Sequence, residues 1–268
     1  MKHLWMAVAC FVIALAATAK ADQLMEVPTR PGVTVRLALT VPDAPKAPEA
    51  IAILFPGGYG HIEIDADGRI KRDSNFLIRA RKNFAKFGMV AAAMDAPSDQ
   101  IAEYGKMPDA FRQGPGHVAD VKAVVKALRK RFRVPVWLIG TSRGSTSVAH
   151  AAIELRAVKP DDGGPDGIAL TASVGVEHRR GGNLLDMKLA LIEVPALVVH
   201  HEDDLCWATP FSGSADIAAR LTGALRRELI MITGGKRGDD VCTGDSRHGF
   251  KGQRGQVIKR IVGWIFER

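Results

Sequence analysis

A serine lies between two glycines where an apolar run gives way to small residues. Ser142 has Gly140 two residues before it and Gly144 two residues after it. The apolar residues 136–139 predict a buried strand, and the small residues after the serine predict a helix. A strand that turns so sharply into a helix leaves no room for Cβ atoms at the two flanking positions. The pattern predicts a serine nucleophile at a helix N-terminus, where free N–H groups stabilise a developing oxyanion.

This segment resembles the nucleophile elbow of the α/β-hydrolase family, whose members carry serine, acid and histidine in that order along the chain. The resemblance implies an acid after a late strand, and residues 194–200 form an apolar run that ends in His-Glu-Asp-Asp-Leu-Cys. Aligned with the family's strand-HGxxD segment, with a histidine replacing the glycine, the acid is Asp204; Asp203 is the alternative. The expected base is His248, in a loop before the helical run 256–266.

The resemblance assigns complementary roles to these side chains. A serine hydroxyl is a poor nucleophile at neutral pH, so an imidazole with an unperturbed pKa of about 6.5 must take its proton. Asp204 would hold the His248 imidazole in the useful tautomer and stabilise its charged form. No His, Cys and carboxylate cluster has zinc spacing, so neither a metal nor another cofactor is expected. Most other histidines are interpreted as structural or solvated: His61, His117, His150, His178, His200 and His201.

A second glycine-rich segment follows the apolar run 51–55 and reads Pro-Gly-Gly-Tyr-Gly-His. It looks like the family's HGGxG loop, with Pro56 at the histidine position. That likeness implies an oxyanion hole made by the N–H groups of Arg143 and Gly58, with Gly57 as an alternative donor. The other interpretation of the segment is an ordinary glycine-rich turn.

The elements between these motifs alternate between strands and helices. Repeated strand–helix units predict a mostly parallel central sheet with helices on both faces, as in the α/β-hydrolase fold. Residues 175–194 are the only segment available for a cap, so we expect little or no lid. The predicted strands cover 33–41, 89–95, 169–174 and 228–233, and the predicted helices cover 75–87 and 118–132.

The first 21 residues have the features of a secretory signal peptide. A short positive start precedes the apolar run 4–17, and Ala19-Lys20-Ala21 offers a cleavage site before Asp22. The apolar run is too short to span a bilayer comfortably, and an uncleaved interfacial anchor is the alternative. Residues 22–268 are expected to form one domain, periplasmic or secreted.

Cleavage would leave two cysteines, Cys206 and Cys242, in an oxidising compartment. The resemblance places Cys206 just after the acid and Cys242 shortly before the base, on loops that catalysis brings together. We therefore expect a disulfide between them. Two separate buried thiols are the alternative.

The charge balance excludes few partners. The chain has a formal net charge of +8, but its basic residues are scattered and only 6% of its residues are aromatic, which argues against nucleic-acid binding. The densest basic run, residues 126–133, ends a predicted helix, where cations favour the helix dipole. We interpret it as a solvated face that would also favour peripheral contact with an anionic envelope surface.

Together these features predict an exported serine hydrolase that cleaves an ester or related acyl bond of a small molecule through an acyl-enzyme. A thioesterase, lactonase, amidase or peptidase would use the same residues, because specificity depends on loops. A catalytically silent binding protein is the alternative from another class. Arginines beside the reacting groups predict an electropositive site that prefers anionic acyl groups, unless their side chains pair with surface carboxylates: Arg143, Arg179, Arg180 and Arg247.

Overall fold

The computed structural model describes residues 22–177 and 182–267, so the predicted signal peptide and both Arg179 and Arg180 lie outside the described residues. Its strands are β1 (Gln23–Arg30), β2 (Val33–Thr40), β3 (Ala50–Phe55), β4 (Met89–Met94), β5 (Val136–Thr141), β6 (Gly167–Thr171), β7 (Ala196–His201) and β8 (Arg227–Ile232). They form one sheet in the order β1-β2-β4-β3-β5-β6-β7-β8. The β1–β2 and β2–β4 pairs are antiparallel, and every other pair is parallel, so the sheet is mostly parallel as predicted.

Helices cover both faces of this sheet. The α-helices are α1 (Phe76–Lys86), α2 (Ser98–Tyr104), α3 (Asp109–Arg112), α4 (Pro115–Phe132), α5 (Arg143–Glu154), α6 (Phe211–Arg220) and α7 (Arg254–Ile265). Helices α1 and α7 pack with one set of alternate strand residues, and α4, α5 and α6 pack with the other set. Because alternate strand residues point to opposite faces, the sheet lies between two helical layers.

The central strands are apolar along their whole length because both of their faces are covered. Every residue of β3, β4, β5, β6 and β7 is buried. Strand β1 at one edge alternates less clearly and is mostly half-buried. This burial explains why the sequence pattern identifies the inner strands and passes over β1.

The segment between β6 and β7 was the expected place for a lid. Its described part contains two single 3-10 turns, Leu184–Asp186 and Leu189–Leu191. Leu184, Leu189 and Ile192 are buried in the same core layer as α5 and α6. The described part of the segment therefore packs into the core, which agrees with little or no lid.

Among the described residues, no helix is both long and apolar enough to cross a membrane.

Candidate active site

Ser142 occupies a strained turn between β5 and α5. Its backbone has φ 53° and ψ −129°, a region that residues other than glycine rarely adopt. A Cβ on Gly140 would lie 2.4 Å from the Gly144 carbonyl oxygen, and a Cβ on Gly144 would lie 2.1 Å from the Phe55 carbonyl oxygen. Only glycine fits at both positions, as the sequence pattern predicts. The turn leaves Ser142 directly before the first turn of α5.

A histidine and an aspartate meet at the carboxyl end of the sheet. His248 lies on a 3-10 turn, Arg247–Gly249, in the segment after β8, and Asp204 lies just after β7. His248 Nδ1 is 2.9 Å from Asp204 Oδ2, and both side chains are buried. An ionised carboxylate can only accept, so Nδ1 carries the hydrogen and Nε2 is left able to accept a proton.

The Asp204 carboxylate has further donors. The Cys206 N–H donates to Oδ1 at 2.9 Å, and the Thr209 hydroxyl donates to Oδ2 at 2.9 Å. His200 Nε2 lies 2.8 Å from the Thr209 carbonyl oxygen and 3.3 Å from Oδ2, so its N–H is shared between them. Burial raises the pKa of Asp204, but the hydrogen bonds from His200 and His248 outweigh burial and hold this pKa well below its ordinary value. Asp204 is therefore ionised at neutral pH. Neither Thr209 nor His200 is predicted from the sequence to belong to this group.

The alternative acid, Asp203, has a different partner. Arg247 Nη1 donates to Asp203 Oδ2 at 2.7 Å, and the Asp203 side chain is 50% exposed. Of the two neighbouring aspartates, the structure brings Asp204 to His248 and directs Asp203 to the surface.

Ser142 and His248 line one small cavity. Its volume is about 40 Å³, and Gly57, Gly58 and Gly244 also line it. A space of this size holds about one or two waters, so it fits the reacting group of a substrate but not an acyl chain. The remainder of any substrate would lie on the open surface around the cavity.

The glycine-rich loop after β3 packs directly against the nucleophile. A Cβ on Gly57 would lie 2.8 Å from the Ser142 Cβ, so the loop backbone passes close beside the serine. Neither the Gly57 N–H nor the Gly58 N–H donates to another group within the described residues. Arg143 is the first residue of α5, and the N–H groups of a first helical turn have no partner inside the helix. All three predicted oxyanion donors are therefore near Ser142 or adjacent to it, and their N–H groups have no acceptor among residues 22–177 and 182–267.

The far end of this loop is fixed by Asp95, the residue after β4. Asp95 accepts hydrogen bonds from the Ile62 N–H at 2.8 Å and the Ile64 N–H at 3.0 Å, and it lies 2.9 Å from His61 Nδ1. His61 therefore has a structural position, as expected from its sequence context.

Comparison with solved structures identifies the fold. Est1E from Butyrivibrio proteoclasticus matches with a TM-score of 0.62 at 15% sequence identity, over 92% of this chain and 98% of that one. A dienelactone hydrolase from Anabaena variabilis matches with a TM-score of 0.64 at 11% identity, over 93% and 99%. A serine hydrolase without lid from Xanthomonas campestris matches with a TM-score of 0.57 at 14% identity, over 90% and 95%. The chain has the α/β-hydrolase fold. No family model and no curated protein matches the sequence.

Within this α/β-hydrolase fold, a disulfide joins the loop of Asp204 to the segment before His248. Cys206 and Cys242 are bonded, with their Cα atoms 4.6 Å apart. Cys206 also supplies the N–H that donates to Asp204, and Cys242 lines the cavity with Ser142. The predicted pairing is the one observed, and it connects the two segments that position Asp204 and His248.

The predicted free cations beside the reacting groups are not observed. Arg143 Nε lies 2.6 Å from Asp109 Oδ1, and Arg247 pairs with Asp203 as described above. The prediction of an electropositive site is wrong for these two arginines. Asp109 of α3 supplies a carboxylate to Arg143, and Asp203 in the loop after β7 supplies one to Arg247. Arg179 and Arg180 lie outside the described residues.

No group of three or more His, Cys, Asp or Glu side chains within residues 22–177 and 182–267 is arranged to hold a metal ion.

Proposed function

We propose that this protein is a serine hydrolase that cleaves esters through an acyl-enzyme. One observation carries the proposal: His248 is held 2.9 Å from the buried Asp204 carboxylate and shares a small cavity with Ser142 on its strained turn. A serine, an imidazole and a carboxylate in these relations are the parts that nucleophilic acyl transfer requires.

In the acylation step, Ser142 Oγ attacks the ester carbonyl carbon while His248 Nε2 takes the hydroxyl proton. The carbonyl oxygen becomes an oxyanion, which the N–H groups of Arg143 and of Gly58 or Gly57 stabilise. Asp204 stabilises the imidazolium without taking its proton. The carbon–oxygen bond to the leaving group then breaks, and His248 gives its proton to the departing alcohol.

In the deacylation step, water replaces the alcohol. His248 Nε2 takes a proton from the water as its oxygen attacks the acyl-serine carbonyl, and a second oxyanion forms in the same place. Breakage of the bond to Ser142 Oγ releases the acid, and the proton on His248 returns to the serine. No cofactor is needed for either half of the reaction.

Exposed apolar side chains in the loops of the proposed site favour an ester with an apolar or aromatic part. Three large side chains are exposed in the loops that carry the proposed site: Tyr59 is 60% exposed, Leu205 51% and Trp207 60%. Tyr59 follows Gly58, and the other two follow Asp204 closely in sequence. One structure of the similar protein Est1E contains ferulic acid, so hydroxycinnamate esters belong beside short acyl esters in a substrate panel.

We also propose export, with cleavage before Asp22. The Cys206–Cys242 disulfide supports an oxidising compartment. Asp22 accepts hydrogen bonds from Thr40 and Arg81, so the proposed mature chain begins at a residue that the fold already holds. N-terminal sequencing of the protein from the culture supernatant or periplasm should give Asp22 first, and a chain that retains residues 1–21 would contradict this proposal.

The decisive experiment is labelling with a fluorophosphonate, which reacts only with an activated serine. We expect one label per folded molecule, located on Ser142 by peptide mass spectrometry, and none on Ser142→Ala. Ser214→Ala is the control, because it removes the same hydroxyl from a buried serine of α6 that does not line the cavity and is bonded to the Phe211 carbonyl. Absence of label on folded wild-type protein would contradict the proposal and favour a silent binding protein. Amides and thioesters in the substrate panel separate the other acyl-transfer reactions.

A further inference from the structure

A cation without a carboxylate partner is buried behind the glycine-rich loop. Arg112, the last residue of α3, is 1% exposed. Within the described parts of the chain, no carboxylate lies within ion-pair distance of its guanidinium. Arg30 is the useful contrast, because it pairs with the buried Asp120 and with Asp99.

The partners of Arg112 are instead neutral oxygens. Nη1 donates to the Ser147 hydroxyl at 3.0 Å, and Nη2 lies 3.4 Å from each of the Pro56 and Gly58 carbonyl oxygens. Nε has no hydrogen-bond partner among the residues described. Burial and the nearby Arg143 cation lower the pKa of Arg112 to about 9, against the opposing charge of Asp109, and the guanidinium stays charged at neutral pH. Burying a cation whose direct contacts are all neutral oxygens costs folding free energy.

The loop is shaped to receive this guanidinium on one side and Ser142 on another. A Cβ on Gly60 would lie 2.4 Å from Arg112 Nη2, whereas a Cβ on Gly57 would lie 2.8 Å from the Ser142 Cβ. Glycine at position 60 therefore makes room for the arginine, and glycine at position 57 makes room for the nucleophile. A single stretch of backbone separates the buried cation from the serine.

The contacts of Arg112 hold two peptide groups of this loop. One contains the Pro56 carbonyl and the other the Gly58 carbonyl, so they flank the peptide group whose N–H belongs to Gly58. The carbonyl of that middle peptide accepts a hydrogen bond from the Gly60 N–H at 3.1 Å. With both neighbours held, the middle peptide has little freedom to rotate, and its N–H direction is fixed before substrate binds.

We infer that Arg112 is a positioning residue that holds the glycine-rich loop after β3 and places a positive charge behind this loop. This inference rests on the proposed function, because it assigns the charge to the oxyanion that forms after attack by Ser142. The charge matters most in the transition state, where negative charge develops on the substrate oxygen, and least when a neutral ester binds. Loss of Arg112 should therefore lower kcat and leave KM almost unchanged.

The test compares Arg112→Met and Arg112→Lys with wild type, using a p-nitrophenyl ester for kcat and KM and a fluorophosphonate for the labelling rate. We expect Arg112→Met to lower kcat and the labelling rate by about 10- to 100-fold, somewhat less than removal of a direct oxyanion donor, with KM within about threefold of wild type. Arg112→Lys should recover part of both rates, because an ammonium keeps the charge but cannot span all three oxygens. Arg129→Lys is the matched control, because Arg129 also donates to a backbone carbonyl, that of Gly164, and lies in α4.

The outcomes separate this inference from the proposed function. If wild type neither hydrolyses the ester nor labels at Ser142, the proposed function fails and the inference fails with it. If wild type is active and folded Arg112→Met keeps wild-type kcat, whether or not its KM rises, the inference alone is wrong. Should Arg112→Met not fold, Arg112→Lys decides: a several-fold loss of kcat at unchanged KM supports the inference, and wild-type kcat overturns it.

Discussion

Asp204 Oδ2 lies 2.9 Å from His248 Nδ1, although 44 residues separate the two in the sequence. Strands β7 and β8 bring them together, because each residue follows a parallel strand that ends at the same edge of the sheet. The carboxylate keeps its charge through the donors around it, and the ring is left with Nε2 as its proton acceptor. The pair is therefore prepared to take a proton from a group in the adjacent cavity, which Ser142 lines.

The first prediction follows from this pair. Ser142→Ala and His248→Ala should each lower kcat for an ester by about 10⁴- to 10⁶-fold, and the double variant should lose little more, because the residues act as a unit. Asp204→Asn should cost up to about 10⁴-fold, since the imidazole then adopts the wrong tautomer. Steady-state kinetics on proteins with unchanged circular dichroism would measure these losses.

Asp203→Asn is the control for the acid. Asp203 pairs with Arg247 and is half exposed, so this variant should stay within about twofold of wild-type kcat. A large loss in Asp203→Asn combined with a mild effect of Asp204→Asn would show that the acid is assigned to the wrong aspartate.

The second prediction concerns the Cys206–Cys242 disulfide. Its two cysteines are 36 residues apart in the sequence. On the chain-entropy model, closing a loop of this length adds about 4 kcal/mol to the free energy of unfolding. Because Cys206 also donates its N–H to Asp204, reduction should loosen the Asp204–His248 geometry. We expect activity to fall at lower urea concentrations than those that unfold the reduced protein globally. Coincident loss of activity and of circular dichroism would contradict a local effect, and the Cys206→Ser/Cys242→Ser variant controls for the reductant.

Particular residues show what the sequence could and could not predict. Glycine spacing predicted the Ser142 turn, and apolar runs predicted the buried inner strands, because both are local signals. The cysteine pairing was predicted from the order of site residues in the α/β-hydrolase family, which places the two cysteines on neighbouring loops. Strand β1 was not predicted, because an edge strand that contains Pro28 alternates weakly. Helices α2 and α3 are too short for a periodic pattern, and the longer α6 was also missed.

The missing side-chain contacts have a different cause. Thr209 belongs to no motif, and His200 lies within an apolar strand, so neither could be linked to Asp204 before the fold was known. The same holds for Arg143 and Arg247, because ion pairs across 34 and 44 residues leave no trace in local sequence. Burial of Arg112 likewise depends on packing between α3, α5 and the loop after β3.

The third prediction uses His117, a fully buried residue of α4. Neither of its ring nitrogens has a hydrogen-bond partner among the described residues, and burial lowers its pKa to about 3, with Arg112 contributing. An unfolded histidine has a pKa of about 6.5, so below that pH the unfolded chain binds a proton that the folded protein does not. The contribution of His117 to the free energy of unfolding is therefore fully present above pH 6.5. It falls by about 1.4 kcal/mol per pH unit as the pH drops from 6.5 toward 3.

Denaturant unfolding of wild type and His117→Leu at several pH values checks this dependence. Leucine cannot titrate, so the difference in unfolding free energy should shift in favour of the variant by about 1.4 kcal/mol for each pH unit below 6.5. At pH 8 and above the difference should no longer change with pH and should reflect packing, which includes the ring contacts with Phe55 and Phe111. Parallel stability curves between pH 6.5 and 4.5 would contradict a buried neutral histidine.

The last prediction concerns substrate charge. Asp109 pairs with Arg143 and Asp203 pairs with Arg247, so the cations next to Ser142 and His248 in sequence are compensated. Wild type should therefore hydrolyse a neutral ester and a carboxylate-bearing ester of equal length with similar kcat/KM, and salt should leave their ratio unchanged. Asp203→Asn leaves the partly exposed Arg247 without this partner, and it should raise the ratio in favour of the anionic ester a few-fold at low salt and lose that gain at high salt. A strong, salt-sensitive preference for the anionic ester in wild type would instead indicate cations at the site other than Arg143 and Arg247, and no change of the ratio in Asp203→Asn would show that Arg247 does not reach the substrate.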